Sequence, residues 1–181
     1  MNMYKLKFTK LQNEIFRLFC IKAGALLNQR GIAKILKVSP TAVSKALPLL
    51  EKEDIIKIKR EKLMNLFSVR LNRENPKIIG LKRAENLKLI YESGLVEFLE
   101  EFFPGATIIL FGSYSLGEDI ETSDIDIAII NSKEKEINLS KFDKLLERRI
   151  SLNFYLSFKD IKKELKENIL SGILLAGGIE L

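Results

Sequence analysis

Asp124 and Asp126 stand two residues apart at the start of the run Asp-Ile-Asp-Ile-Ala-Ile-Ile. Alternate residues of a strand share a face, so the two carboxylates would lie side by side while Ile125, Ile127 and Ile129 turn the other way. Like charges that close repel, and one or two divalent cations between them would relieve the repulsion. A cation held there could clamp a triphosphate. Upstream, with ten residues intervening, Gly112 and Ser113 end a short apolar strand spanning Ala106 to Phe111. Glycine lets the backbone approach a ligand closely, and serine offers both a hydroxyl and an N–H to a phosphate. Neither piece is specific alone, and the acidic pair could be no more than a charged edge strand. Gly-Ser at one strand end, a fixed short gap and Asp-Ile-Asp opening the next strand is a far more specific pattern.

The elements needed to position these residues can be read around them. Residues 93–103 form an amphipathic helix with Leu95, Phe98, Leu99 and Phe102 inward, stopped by Pro104-Gly105. After the Asp-Ile-Asp strand, the pattern predicts a helix over Leu139 to Glu147, a strand over Ile150 to Ser157 and a final helix from Phe158 to Leu170. Phe111-Gly112-Ser113, ten residues, then Asp124-Ile125-Asp126-Ile127 resembles the signature of the polymerase-β-type nucleotidyltransferase superfamily. The resemblance covers about residues 93–181, and at that size it is similar to the minimal nucleotidyltransferases of prokaryotes. It implies that Gly112 and Ser113 hold the phosphates of a nucleoside triphosphate. It implies that Asp124 and Asp126 are catalytic and bind Mg²⁺, and that the reaction is nucleotidyl transfer to a hydroxyl. One position departs from the pattern. Active members usually carry a third carboxylate on the following strand, whereas here the same-face positions are Ser151 and Asn153. Asn153 could offer an amide oxygen to a metal, but it cannot act as a base.

The front of the chain has a different character. Up to Asn75 there are sixteen basic and six acidic residues, against fourteen and eighteen from Pro76 onward, so an overall charge of +6 hides a local +10 and −4. Such asymmetry points to two modules with different partners, the basic one facing a polyanion. Helices are predicted from Thr9 to about Ala23, from Asn28 to Leu36 with Ile32, Ala33, Ile35 and Leu36 inward, and from Pro40 to Lys52. Ser39 is the expected N-cap of the third, with Pro40 at its first position. Pro48 removes a bond back to Ser44 and is expected to bend that helix. Ile55 to Lys59 and Leu66 to Leu71 read as two strands joined by a polar connector. Three helices followed by a hairpin, around Gln29 to Lys45, resemble the winged helix-turn-helix of small bacterial and archaeal transcription regulators over residues 9–72. The resemblance implies that the third helix enters the DNA major groove and the wing touches the flanking backbone. Ser39, Thr41, Ser44, Lys45, Lys59, Arg60 and Lys62 are the expected contacts to duplex DNA. A winged helix used only for dimerisation or protein docking is the alternative.

The expected architecture is therefore α+β: a winged helix-turn-helix domain (1–75), a linker helix (76–92) and a small nucleotidyltransferase-fold domain (93–181) with a mixed sheet and flanking helices. The apolar side of the linker helix could pack on either module or on a second subunit, which would make a homodimer. Composition narrows the chemistry further. With no His, there is no His base, no Ser-His-Asp triad and no His-ligated metal. The single Cys20 can form neither an internal disulfide nor a thiolate zinc site, and its apolar setting suits an inert buried thiol. No signal-peptide core and no apolar run of roughly 20 residues is present, so a reducing, cytoplasmic setting without a membrane partner is expected. Three functions remain open. One is a DNA-tethered transferase that moves a nucleoside monophosphate from NTP and Mg²⁺ to a protein or small-molecule hydroxyl. Another is a transcription regulator whose degenerate transferase domain senses nucleotide or binds a partner. The third is a chain resembling antitoxin-type minimal nucleotidyltransferases that act on or bind a HEPN-type toxin.

Overall fold

A computed structural model of the chain describes residues 8–61 and 66–179. The chain divides into two compact units between Ile78 and Ile79.

The first unit begins with α1 (Lys10–Ile21), α2 (Gln29–Leu36) and α3 (Pro40–Lys52). Each starts on a short polar residue that satisfies an otherwise orphan amide. Thr9 and Gln12 form a reciprocal capping box on α1. The Asn28 side chain accepts from Gly31 N–H at 2.8 Å, and Ser39 Oγ accepts from Ala42 N–H at 3.1 Å. The helices enclose Ile15, Leu18, Phe19, Ile32, Val43, Leu47 and Leu50, all buried. Gln12 is buried too, donating to the Ala46 carbonyl at 3.2 Å and so tying α1 to α3. Ile35, expected inside, is 47% exposed. On a helix this short, the inward stripe passes through Ile32 and Ala33, and a residue three positions after Ile32 lies about 60° off its direction. α3 runs unbroken through Pro48, which is exposed. Then β1 (Ile56–Glu61) and β2 (Leu66–Leu71) pair antiparallel, Ile56 opposite Leu71. Leu27 adds a one-residue bridge to Val69, with mutual backbone bonds of 3.0 and 2.7 Å, a contact beside the two-stranded hairpin that no local pattern announced. Three helices and a hairpin in this order make a winged helix-turn-helix unit.

The division into units falls within α4 (Pro76–Glu92), and from Ile79 onward this helix belongs to the second unit. After it come α5 (Leu95–Phe102), β3 (Thr107–Phe111), α6 (Gly112–Leu116), β4 (Ile125–Ile130), α7 (Ser140–Leu146), β5 (Ile150–Tyr155), α8 (Lys163–Leu170) and β6 (Ile173–Ala176). The four strands form one mixed sheet in the order β5-β4-β3-β6, with β3 antiparallel to both neighbours and β4 parallel to β5. The central strands β3 and β4 are buried on both faces, which explains their nearly continuous apolar sequences. One face, carrying Ile109, Phe111, Ala128 and Ile130, packs on Phe158, Ile161 and Ile169. On the other, where Phe154 pairs with Ile129, the Phe103 ring lies edge-on to Phe154 at 5.5 Å. Two expectations need correction. The last helix is shorter than its pattern, being a 3₁₀ turn at Phe158–Asp160 followed by α8, because Ile161 turns inward in an extended conformation. β6 was hidden in the segment after Gly172 and shows itself only by pairing with β3.

Candidate functional site

The site forms at the sheet end where β3 finishes and β4 begins. Asp126 lies opposite Phe111 in the β3–β4 register, so the residue after Phe111 is carried directly over the Asp126 carboxylate. That residue is Gly112, with φ +72°. A Cβ there would stand 2.7 Å from Asp126 Oδ2, closer than real side chains come. Both the left-handed backbone and the absent side chain are therefore required. Ser113 follows, half-buried in the first turn of α6. The structure thus brings Gly112, Ser113 and Asp126 together. Asp124 precedes β4 by one residue and is exposed, while Asp126 is half-buried. Burial pushes the Asp126 carboxyl above its ordinary value, and the Asp124 charge raises it further. Two carboxylates in this tension could hold a hard cation such as Mg²⁺, which takes one or two carboxylates and completes its shell with water and phosphate oxygens. Among the described residues, no group of three or more His, Cys, Asp or Glu side chains could hold a metal by itself. The β4–β5 register sets Ser151 beside Asp126 and Asn153 beside Ala128.

Sequence reasoning missed the support of this site. Asp119 lies in the polar stretch between the two motifs, yet it is fully buried. It pairs with the equally buried Lys82 of α4, accepts from Asn86 Nδ2 at 2.7 Å and meets Arg148 Nη2 at 3.5 Å. Asn86 also donates to the Tyr114 carbonyl at 2.9 Å. Gly117, at φ +77°, ends α6 so close to α4 that a Cβ would strike the Ile79 carbonyl at 2.6 Å. The loop from Gly112 to Asp124 is thereby fastened to α4 at three points. The i, i+4 spacing of Lys82 and Asn86 was the one available signal, and on a helix with so many charges it does not stand out.

In the first unit, Thr41, Ser44 and Lys45 lie at i, i+3 and i+4 on α3 and are all exposed. Ser39 is exposed as well, with its hydroxyl engaged in capping α3. Lys59 is exposed on β1, and by strand alternation it shares a face with Lys57 and the cross-strand Arg70. Those two residues were overlooked by the sequence reading. Glu74 bridges them, with Arg70 Nη2 at 3.0 Å and Lys57 Nζ in contact, and the Lys57 bond holds its carboxyl below the usual range. Lys62 lies outside the described residues, as does the Arg60 side chain.

Residues 92–175 match the family model of the nucleotidyltransferase domain. The chain thus joins a winged helix-turn-helix unit to a nucleotidyltransferase domain, an α+β architecture with a mixed sheet in the second unit. Among solved structures, a mutant of Lactococcus lactis ZitR is similar at TM-score 0.42 and 23% identity, covering 57% of this chain and 67% of that one. The adhesin competence repressor AdcR from Streptococcus pyogenes is similar at TM-score 0.41 and 20% identity, covering 54% and 69%. Wild-type ZitR in complex with DNA gives TM-score 0.39 and 26% identity over 54% and 62%. No curated protein matches the chain. Among the described residues, no helix is long and apolar enough to cross a membrane.

Proposed function

We propose that the chain is a DNA-binding regulator whose second unit binds a nucleoside triphosphate with Mg²⁺ and transfers the nucleoside monophosphate to a hydroxyl. The observation that carries this reading is the seating of Gly112 on the Asp126 carboxylate, which makes one site of two motifs that are separate in sequence. Gly112 leaves room for phosphate oxygens beside the backbone, and Ser113 supplies a hydroxyl donor there. Asp124 and Asp126 would hold the cation. When bound, Mg²⁺ neutralises the triphosphate and the charge that develops on the leaving pyrophosphate. With Ser151 and Asn153 in place of an acidic residue, the attacking hydroxyl loses its proton to solvent, and turnover is expected to be slow. Isothermal titration of the full chain tests this. ATP with Mg²⁺ should bind, and the double substitution Asp124→Asn, Asp126→Asn should weaken it at least about 100-fold, the equivalent of two charge-assisted contacts. No heat from any of the four NTPs with Mg²⁺ would defeat the reading.

The neutral Ser151 beside Asp126 favours a second reading, in which the domain binds nucleotide or a protein partner without transferring anything. Labelled NTP incubated with the protein and a lysate of its own source decides between them: a labelled product means transfer. For the first unit, duplex DNA binding with a steep salt dependence is expected. Lys45→Glu, Arg60→Glu and Lys62→Glu together should flatten the slope of log affinity against log salt by roughly 0.9 for each phosphate contact removed. Unchanged affinity and slope in a fluorescence-anisotropy titration would remove this surface from consideration.

A further inference from the structure

β5 forms one edge of the four-stranded sheet. In its parallel ladder with β4, the Arg149 carbonyl accepts from Ile125 N–H at 2.8 Å and the Tyr155 carbonyl from Asn131 N–H at 3.0 Å. Residues 149, 151, 153 and 155 therefore turn their N–H and C=O groups toward β4, while residues 150, 152 and 154 turn theirs outward. The outward Ile150 N–H is taken by Asp143 Oδ1 at 2.9 Å. Among the described residues, the N–H and C=O groups of Leu152 and Phe154 have no such partner. An edge of this kind is a template for another strand unless something blunts it. From Ile150 to Leu156 there is no charge and no proline, and the β4–β5 register runs without a bulge. The opposite edge differs: β6 has four residues and a shifted register against β3.

We propose that this edge pairs antiparallel with β5 of a second copy of the chain, in a register centred on Asn153. In an antiparallel ladder, two opposed residues can exchange both of their N–H···O bonds. Setting Leu152 against the partner's Phe154, and Phe154 against the partner's Leu152, satisfies all four outward groups of each strand. A register centred on Leu152 would need Ile150 instead, whose N–H Asp143 already holds. One centred on Phe154 would need Leu156, which lies beyond the strand in a bend. The contact is two-fold and closed, the commonest symmetry of soluble assemblies. It joins two sheets of four strands into one of eight. Opposed residues share a face, so both Asp126 carboxylates lie on the same side of the joined sheet.

The side chains suit this register. Asn153 meets its own copy across the axis, and a side-chain amide both donates and accepts, so the two can bond to each other. Within the chain that amide makes one long bond, 3.5 Å from Nδ2 to the Ser151 carbonyl. On the other face, Leu152 meets the partner's Phe154, and Leu156, which is 62% exposed, is carried toward the partner's Ile150. Before the strand, Arg149 is exposed and falls opposite the partner's Ser157, a residue in extended backbone. Ser157 Oγ donates to Asp160 Oδ2 at 3.0 Å and so keeps that exposed carboxylate beside it. The guanidinium of one copy and the carboxylate of the other complement each other at both ends of the contact.

Sedimentation equilibrium of the full chain tests this, together with hydrogen exchange. The unaltered chain should associate to twice its mass as concentration rises, and exchange at the Leu152 and Phe154 amides should slow over the same range. Asn153→Lys and Asn153→Asp each oppose like charges across the axis and should weaken association at least about tenfold. An equimolar mixture of the two should associate at least about tenfold more tightly than either alone, because position 153 faces only its own copy. Arg149→Asp should also weaken association, and Asp160→Arg added to it should restore it. A chain that stays monomeric at its highest soluble concentration overturns the proposal and leaves the edge to a strand of another protein. A dimer whose Leu152 and Phe154 amides exchange as fast as in the monomer overturns it too, since the contact then lies elsewhere. So does a pair of folded Asn153 variants that the mixture does not restore. The exchange measurement needs no substitution and decides the matter alone if either variant melts early.

Discussion

Asp119→Ala is expected to destabilise the second unit by about 3–5 kcal/mol, the cost of breaking a buried ion pair from one side. Asp119 has no exposed surface and is met by Lys82, Asn86 and Arg148. Removing it takes the carboxylate from between two cations that are both at least 95% buried. Lys82→Met should cost less, because Asp119 keeps Arg148 and Asn86 and the methionine fills the same space. The order of the two losses is the more demanding part of the prediction. Hydrogen exchange at the amides of β3 and β4 reads the opening of this unit separately from the winged helix. An Asp119→Ala chain within 1 kcal/mol of the unaltered one would mean that the cluster is solvated and does not hold the unit together. The same substitution should loosen the loop from Gly112 to Asp124, because Asp119 is one of its three attachments to α4.

The second large effect is expected at Gly112. Alanine there must adopt φ near +72° and place its Cβ 2.7 Å from Asp126 Oδ2. The left-handed backbone costs about 1–2 kcal/mol outside glycine, and the steric conflict is relieved only if the Asp126 carboxylate swings away. That movement takes a carboxylate from the place where the cation would be held. ATP with Mg²⁺ should bind Gly112→Ala at least about tenfold more weakly, since 1.4 kcal/mol already corresponds to that factor. Ser113→Ala is the comparison. It removes one hydroxyl contact, worth about 0.5–1.5 kcal/mol, and leaves Asp126 where it is. Equal effects from the two substitutions would show that Gly112 matters only as a flexible turn and not through its approach to Asp126.

Much of the candidate site was legible because the motif residues act through short-range geometry. Gly112 and Ser113 follow an apolar strand, and Asp124 and Asp126 open another, so only the pairing of those two strands was needed to unite them. The departure at Ser151 could be read in the same way from the alternation along β5. Arg149 was not picked out, because a basic residue before a strand has no meaning until the parallel register places it beside Asp124. Lys57 and Arg70 were likewise passed over, and it took the hairpin register to set them opposite each other on the face of Lys59.

The difference comes down to the range over which each feature is determined. Thr9, Asn28 and Ser39 cap helices through bonds to amides three residues away, and their sequence context is enough to find them. The apolar runs of β3 and β4 announce burial by composition alone. Asp119 finds Lys82 across 37 positions of chain, Leu27 meets Val69 from another part of the first unit, and β6 exists only as the partner of β3. A buried charge looks, in sequence, like any exposed one, because what pays for its desolvation is a partner supplied by a distant segment. Local backbone chemistry wrote the strands, the caps and the two motifs into the chain, and tertiary packing alone decided which charges would be taken out of water to hold the motif loop in place.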